Sequence, residues 1–492
     1  MSVISVEDLT FSYGSDGDYI FRNVSFRIDT DWKLGFIGRN GRGKTTFLRL
    51  LMGEYEYSGR IVSSVGFEYF PRTVRNADAP VRDVLAEICP TAEEWQVIRE
   101  LNCLDVDCEC LDRPFATLSG GERTKALLAA MFLCEDKFLL IDEPTNHLDA
   151  RARKLLADYL KRKKSFILVS HDRELLDGCV DHVLSLNRAN IDVQSGNWSS
   201  FMTNFERRQA CERKENARLQ KDIARLRETA ARTFLWADAT EASKNGRTAS
   251  GLKPDKGYVG HKSAKMMKRA KAVEARSERE AEQKSALLRN TETDADLKLS
   301  PLTYRSERLI SLSGVSPVYD GRAVCLPVTL DVMRGDRIAI DGKNGSGKSS
   351  LLKLLCGEAV GHTGRADIGS GLVISYIPQD ISHLSGTLAE LASASGTDES
   401  LLKAVLHKMG VESRQFDKDI SGFSDGQKKK ILLAKSLCER AHLYIWDEPL
   451  NYVDIYTRVQ IEEVLRKVCP TMIFVEHDGA FRDRIATRVV KL

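Results

Sequence analysis

The chain of 492 residues lacks any apolar run near the roughly 18 residues that a membrane-spanning helix needs. Its N-terminus, "MSVISVEDLTFSYG", has no basic segment leading into an apolar one, so no secretory signal is read and a cytoplasmic setting is expected. Eleven cysteines are scattered along it, an odd number. Cys103, Cys108 and Cys110 cluster, but no second Cys or His pair stands at zinc-site spacing, which leaves reduced thiols as the reading. A strong overall charge is missing too. The net value of +3 says nothing about partners until its distribution is examined. With 42% hydrophobic and 29% charged residues, ordinary soluble cores can form, and the length allows roughly two to four domains.

What the chain does have is a repeat. "GRNGRGKTT", Gly38 to Thr46, returns as "GKNGSGKSS", Gly342 to Ser350, with Lys44 and Lys348 304 residues apart. "LSGGE" from Leu118 returns as "FSDGQ" from Phe423, and "LLIDEP" from Leu139 as "YIWDEP" from Tyr444, both at an offset of 305. "VSHD" from Val169 returns as "VEHD" from Val475 at 306. Four motifs at so constant an offset make two homologous modules, expected over 1–204 and 301–492, with a connector over 205–300. Each module reads as α/β. "KLGFIG" and "RIAIDG" are short apolar strands feeding Gly-rich loops, "TTFLRLLMG" and "SSLLKLLCG" are the helices that follow, and "KFLLID" and "LYIWD" are buried strands ending in carboxylates. Ligands of such sheets collect at the carboxyl ends of the strands, where these motifs lie.

The connector has another composition. Leu219, Ile223, Leu226 and Ala230 form an apolar seam on a charged helix, the pattern of a helical hairpin or coiled coil. Gly246, Gly251, Pro254, Gly257 and Gly260 interrupt it, and a second helix is expected around "KSAKMMKRAKAVEARSEREAEQKSALL". The irregular tip is placed near 244–262. Between Phe234 and Lys271, nine Lys/Arg face three Asp/Glu, so the modest whole-chain charge conceals a tip region of net +6. Lys244, Arg247, Lys253, Lys256, Lys262, Lys265, Lys268 and Arg269 suit a polyanion, and Tyr258, Met266 and Met267 suit base packing or a cleft. A solvated cap on the hairpin is the alternative reading of the same residues.

The chemistry sits in the repeated motifs. Gly38-x4-Gly43-Lys44-Thr45 and Gly342-x4-Gly347-Lys348-Ser349 match the P-loop in full. Its backbone N–H groups and helix N-terminus converge on phosphate oxygens, here along Gly38, Asn40, Gly41, Gly43, Lys44, Thr45 and Thr46, and along Gly342, Asn344, Gly345, Gly347, Lys348, Ser349 and Ser350. The lysines reach the β/γ-phosphates of ATP, and Thr45 and Ser349 suit Mg²⁺. Asp142 and Asp447 end buried strands and suit the same metal, while Glu143 and Glu448 are placed to orient or deprotonate an attacking water. His171 and His477 recur at the same offset and are read as γ-phosphate contacts.

Taken together, the P-loops, the "LSGGE"-type signature, "IDEP", Asn146-His147-Leu148-Asp149 and "SHD" resemble ATP-binding cassette (ABC) ATPases. Two cassettes joined by a charged helical linker, with "QSGNWSSF" before it, are similar to the ABC-F class. "KMMKRAK" and "YIWDEPLNYVD" resemble its ribosome-protection branch of the lincosamide, streptogramin A and pleuromutilin type. The resemblance implies head-to-tail pairing within a monomer. Lys44 would share one ATP with Ser424 and Gly426, and Lys348 another with Ser119, Gly120 and Gly121. It implies adenine stacking by Tyr13 and Tyr319, and Gln379 at the metal. It also implies an ATP-loaded form in the tRNA exit site of the large ribosomal subunit. The linker would there reach rRNA and P-site tRNA and dislodge a bound drug, with release on hydrolysis. An extra arm in the first module and a C-terminal extension are both expected to be absent.

Two positions depart from the pattern, both in the Lys44 site. Arg72 of "YFPRTV" stands where the second module has Gln379, and Asp425 stands where the first signature has Gly120. An acidic side chain near a triphosphate costs binding, and Arg72 is the candidate to offset it. The expectation is a Lys44 site that binds ATP and turns over slowly, with neutral variation at both positions as the alternative. Alternatives are a general ABC-F translation factor without a resistance role, a transporter ATPase subunit, and a DNA-repair ATPase. A transporter subunit requires a membrane partner that the linker gives no reason for. Coils of repair ATPases are far longer or carry zinc-binding cysteines, and residues 244–262 hold none.

Overall fold

The computed structural model describes residues 2–13, 19–134, 137–145, 148–186, 191–242, 297–319, 321–343 and 345–492, with 261, 264, 265, 268, 272 and 275 of the second linker segment. It divides into two units, Met1–Phe201 with Ala295–Leu492, and Met202–Asp294. The two modules together are therefore one compact unit.

Each module is built on a mostly parallel sheet. In the first, the order is Gly66–Phe70, Lys137–Asp142, Phe166–Val169, Lys33–Gly38, His182–Leu186 and Ile191–Ser195, with only the last pair antiparallel. In the second it is Ile374–Ile377, Leu443–Asp447, Met472–Val475, Arg337–Asp341 and Arg488–Lys491, parallel throughout. Strands such as "FILV" and "LYIWD" are buried at every residue, as strands covered on both faces must be. An antiparallel layer completes each module: Val3–Ser12 pairs with Tyr19–Asp29 and Ser58–Val62, and Arg308–Tyr319 with Val328–Met333 and His362–Ile368. Phe21, Phe36, Phe47 and Phe138 join the layers in the first core. Helices Val81–Ile88, Glu94–Cys103 and Gly120–Met131 form the helical part of the first module, and Leu388–Ser395, Glu399–Lys408 and Asp425–Cys438 that of the second.

Both P-loops end in a left-handed glycine. Gly43 has φ +96° and opens the helix Lys44–Leu51, and a Cβ there would lie 2.4 Å from Ile20 Cγ2. Only glycine meets both conditions, so the loop can wrap a phosphate and feed a helix within one residue.

The helix Trp198–Ala242, which belongs to the other unit from Met202 onward, runs for 45 residues. Leu219 and Ile223 of the apolar seam are half-buried. Side chains of Leu226 and Ala230 lie outside the described residues, as does the whole segment 243–260. Residues 261, 264, 265, 268, 272 and 275 are helical, in the segment read as the second helix. Among the described residues, no helix is long and apolar enough to cross a membrane.

Candidate nucleotide sites between the modules

The loops after equivalent strands converge at one end of each sheet. In the second module, Lys348 Nζ donates to the carbonyls of Gly342 at 2.8 Å and Lys343 at 2.9 Å, folding its ammonium into the P-loop. Ser349 Oγ donates to Gln379 Oε1 at 3.3 Å, and Gln379 Nε2 donates to Glu448 Oε2 at 3.0 Å. Asn451 Nδ2 also donates to that oxygen, at 2.7 Å, and His477 Nε2 lies 3.2 Å from Glu448 Oε1. Burial pushes the Glu448 carboxyl up, but the bonds from His477 and Gln379 and the charge of Lys348 outweigh it and leave Glu448 below its ordinary value. It is therefore ionised and aimed. Its backbone is strained to φ +47°, as at many functional sites.

Facing these residues is the first module's signature. Ser119 caps the helix Gly120–Met131, accepting from Glu122 N at 3.3 Å while the Glu122 carboxylate accepts from Ser119 N at 2.8 Å. The helix N-terminus thus points free N–H groups at a cavity of about 910 Å³. Ser119, Gly120, Gly121 and Arg153 line it from one module, and Lys348, Ser349, Ser350, Gln379, Glu448 and His477 from the other. The walls are cationic and donor-rich at the P-loop and acidic at Glu448, which suits a nucleoside triphosphate. Asp447 is buried and both its carboxylate oxygens have no hydrogen-bond partner. An orphaned carboxylate beside Ser349 and Gln379 fits a divalent cation.

The Lys44 site has the same parts and a different geometry. Lys44 Nζ donates to Gly38 O at 2.8 Å, and Thr45 Oγ1 donates to Asp142 Oδ2 at 2.7 Å. Tyr69 Oη donates to the same Asp142 oxygen at 3.2 Å. Here the modules touch. Asn40 Nδ2 donates to Tyr452 O across the interface at 2.5 Å, and a Cβ on Gly426 would lie 2.7 Å from that same Asn40 nitrogen. The second signature, capped by Ser424 and Gln427, therefore abuts the first P-loop directly. Lys430 Nζ and Asp454 Oδ2 form an ion pair at 2.5 Å with side chains only 2% and 0% exposed. Their counterparts Lys125 and Asp149 line the open cavity instead.

The base position differs as well. Glu143 is pushed up to about 8, by burial first and by Asp142 second, against a smaller pull from Lys44. His171 Nε2 is 3.2 Å from Glu143 Oε1 without hydrogen-bond geometry, so that buried oxygen has no partner. His171 itself is held well below its ordinary value, mainly by burial and then by Lys44. Arg72, the candidate to offset Asp425, is ion-paired to Glu68, four residues back on its own chain, at a position where the second module has Ser375.

Tyr13 Oη lies 2.8 Å from Thr46 Oγ1, with its exposed ring edge-on to Phe11 and Tyr55, next to the first P-loop. Tyr319 is exposed at the end of the equivalent strand. Gly41, Gly345 and Gly347 all have positive φ in their loops. Lys265 and Lys268 are helical and exposed. Asn146, His147, Asn344, Lys244, Arg247, Lys253, Lys256, Tyr258, Lys262, Met266, Met267 and Arg269 lie outside the described residues. Sequence reasoning missed the cross-module contacts. Arg173 Nη1 binds Glu462 Oε1 at 2.6 Å, and Arg484 Nη1 binds the other oxygen at 3.1 Å. The equivalent positions carry Gly479 and Ala157, which instead line a cavity of about 310 Å³. Comparing the two repeats position by position would have exposed this asymmetry.

A family model described as ABC transporter matches residues 21–146 and 325–451. Among curated proteins, the chain is 26% identical over 481 residues to the ribosome protection protein VmlR of Bacillus subtilis, covering 96% of this chain and 84% of that one. It is 28% identical over 506 residues to the ATP-binding protein Uup of Caulobacter vibrioides, covering 100% and 77%. Among solved structures, the complex of an archaeal ribosomal stalk protein with the ribosome recycling factor aABCE1 contains a chain that superposes with TM-score 0.63 at 19% identity, covering 98% of this chain and 87% of that one. That likeness bears on the fold, two tandem cassettes of α/β sheets.

Proposed function

The chain belongs to the ABC transporter family and is an ATPase of that type, and from this premise we propose that it is a cytoplasmic ABC-F protein whose ATP-driven closure operates on the ribosome. Similarity to VmlR and Uup over nearly the whole chain supports the ABC-F class. The observation that carries the proposal is the cavity walled by the P-loop of one module and the signature of the other.

ATP in that cavity has its phosphates wrapped by the Lys348 loop and the N-terminus of Gly120–Met131. Its γ-phosphate then belongs to both modules, and binding favours the closed arrangement over the open one. Ser349, Gln379 and Asp447 would hold a divalent cation such as Mg²⁺ in this site, and Thr45 and Asp142 in the other, where it would supply neutralisation of phosphate charge. Glu448, ionised and fixed by Gln379, Asn451 and His477, accepts the proton of the attacking water. His477 is placed to follow the γ-phosphate. Glu143 keeps one buried carboxylate oxygen without a hydrogen-bond partner and is less firmly aimed than Glu448. The Lys44 site is thus the slow one, closed by the contact of Asn40 with Tyr452 across the modules.

The finer reading is antibiotic resistance. The closed protein occupies the tRNA exit site, and its basic tip approaches rRNA and P-site tRNA to displace lincosamide, streptogramin A or pleuromutilin drugs. One relative named as a ribosome protection protein and the net +6 of residues 234–271 support it. The double variant Glu143→Gln, Glu448→Gln should co-sediment with ribosomes in ATP and not without it. Sedimentation indifferent to ATP contradicts the coupling. Expression in a susceptible host should raise tolerance to those drug classes, and unchanged tolerance to all of them leaves a translation factor without a resistance role.

A further inference from the structure

Lys429 is a buried ammonium that the mechanism has not used. It lies on the helix Asp425–Cys438, five residues after the signature Ser424, and is 1% exposed. Its Nζ donates to Pro378 O at 2.9 Å and to Asp447 O at 3.5 Å. Among the described residues it makes no ion pair. Burial pulls its ammonium below the ordinary value, against the nearby carboxylates of Asp447, Glu476 and Glu448. A buried charge without a paired carboxylate is weak as a stabilising device, and an apolar chain of the same length usually serves stability as well or better.

The two carbonyls explain its placement. Pro378 immediately precedes Gln379, and Asp447 immediately precedes Glu448. Those next residues are the pair bonded to each other at the cavity, at 3.0 Å. One ammonium therefore ties together the backbones of two loops whose side chains form the hydrolytic edge of the Lys348 site. In the first module the equivalent residue is Thr124, and there the corresponding Glu143 has an oxygen without a partner. Side-chain hydrogen bonds to the base and the presence of the lysine thus occur together in one module, and among the described residues neither is found in the other.

We propose that Lys429 is a positioning residue for ATP hydrolysis at the Lys348 site, bracing the Pro378 and Asp447 carbonyls so that Gln379 and Glu448 keep their register. This rests on the reading of Glu448 as the base. Lys429 sits on the helix that presents Gly426 to the other P-loop, so it also ties the signature of one site to the base of the other.

The test uses the full chain in two backgrounds. In Glu143→Gln, where turnover is left to the Lys348 site, Lys429→Met lowers kcat by about 10- to 100-fold, the scale of a small misplacement of a reacting group. KM for ATP changes by less than about twofold, since no ATP contact is removed. In Glu448→Gln, Lys429→Met produces no further loss. Lys429→Arg, which keeps a donor, recovers part of the rate, and Lys429→Thr, the first module's own residue, behaves like the methionine variant and serves if that variant fails to fold. An unchanged kcat in the Glu143→Gln background overturns the proposal, and so does an equal fold-loss in both backgrounds, which marks a structural role. If Glu448→Gln by itself leaves turnover intact, the base assignment fails instead, and the proposal with it.

Discussion

Replacing Glu462 with alanine removes the carboxylate that two arginines share across and beside the module interface. Arg484 is 57% exposed and returns to water, so its loss costs little. Arg173 is 6% exposed, and its Nε and Nη2 already have no hydrogen-bond partner, so removing Glu462 strands a buried guanidinium. Breaking a buried pair from one side costs about 3–5 kcal/mol, and the relief at Arg484 places this case at the lower end, about 3 kcal/mol. For a cooperative unit the size of one module, that lowers Tm by about 6–12 °C. The assay is calorimetry of the nucleotide-free protein with Glu462→Ala, Arg173→Ala and both together. The double variant should lose less than the sum, with a coupling of about 1–3 kcal/mol. A Tm shift under about 2 °C for each single variant, with additive losses, would refute the claim that this contact holds the modules together.

Other consequences can be measured alongside. Lys430 and further hydrogen bonds hold Asp454, against its burial, well below the ordinary carboxylate range. Its contribution is present above the unfolded value and lost as pH falls, so Asp454→Asn should cost about 3–5 kcal/mol near neutral pH and flatten the acid limb of a stability–pH curve. Glu143 behaves oppositely: with its pKa pushed up to about 8, stability is full below the unfolded value and declines as pH rises through about 8. Glu143→Gln should therefore melt higher than the parent in mildly alkaline, nucleotide-free buffer, and an identical pH profile argues against the buried acid. Arg72→Gln, which restores the second module's residue, should raise residual ATPase in a Glu448→Gln background by about threefold, or about 0.6 kcal/mol.

The two P-loops and the carboxylate-ended strands beside them were legible in the sequence because phosphate chemistry demands particular residues at fixed spacing. Lys44, Thr45, Asp142 and their partners 304 or 305 positions on could be named before any coordinates. The strands feeding them were legible because doubly covered strands are apolar throughout, as "LYIWD" is. What escaped was whatever depends on two distant segments meeting. Nothing local marks Glu462 as the partner of Arg173, which stands 289 residues away, or Tyr452 O as the acceptor for Asn40. Arg72 was read for its charge, but its ion pair with Glu68, four residues earlier, was not foreseen. Lys429 lay in plain view in "GQKKK", yet its acceptor, Pro378 O, lies 51 residues away, which composition does not report.

The central claim is that turnover belongs to the Lys348 site, where a cavity opens onto a base held by three side chains. The most direct measurement is the steady-state ATPase rate of Glu448→Gln beside that of Glu143→Gln, under saturating ATP. The account predicts that Glu448→Gln abolishes most of the turnover while Glu143→Gln retains most of it. Equal losses in the two variants, or the reverse order, would contradict it.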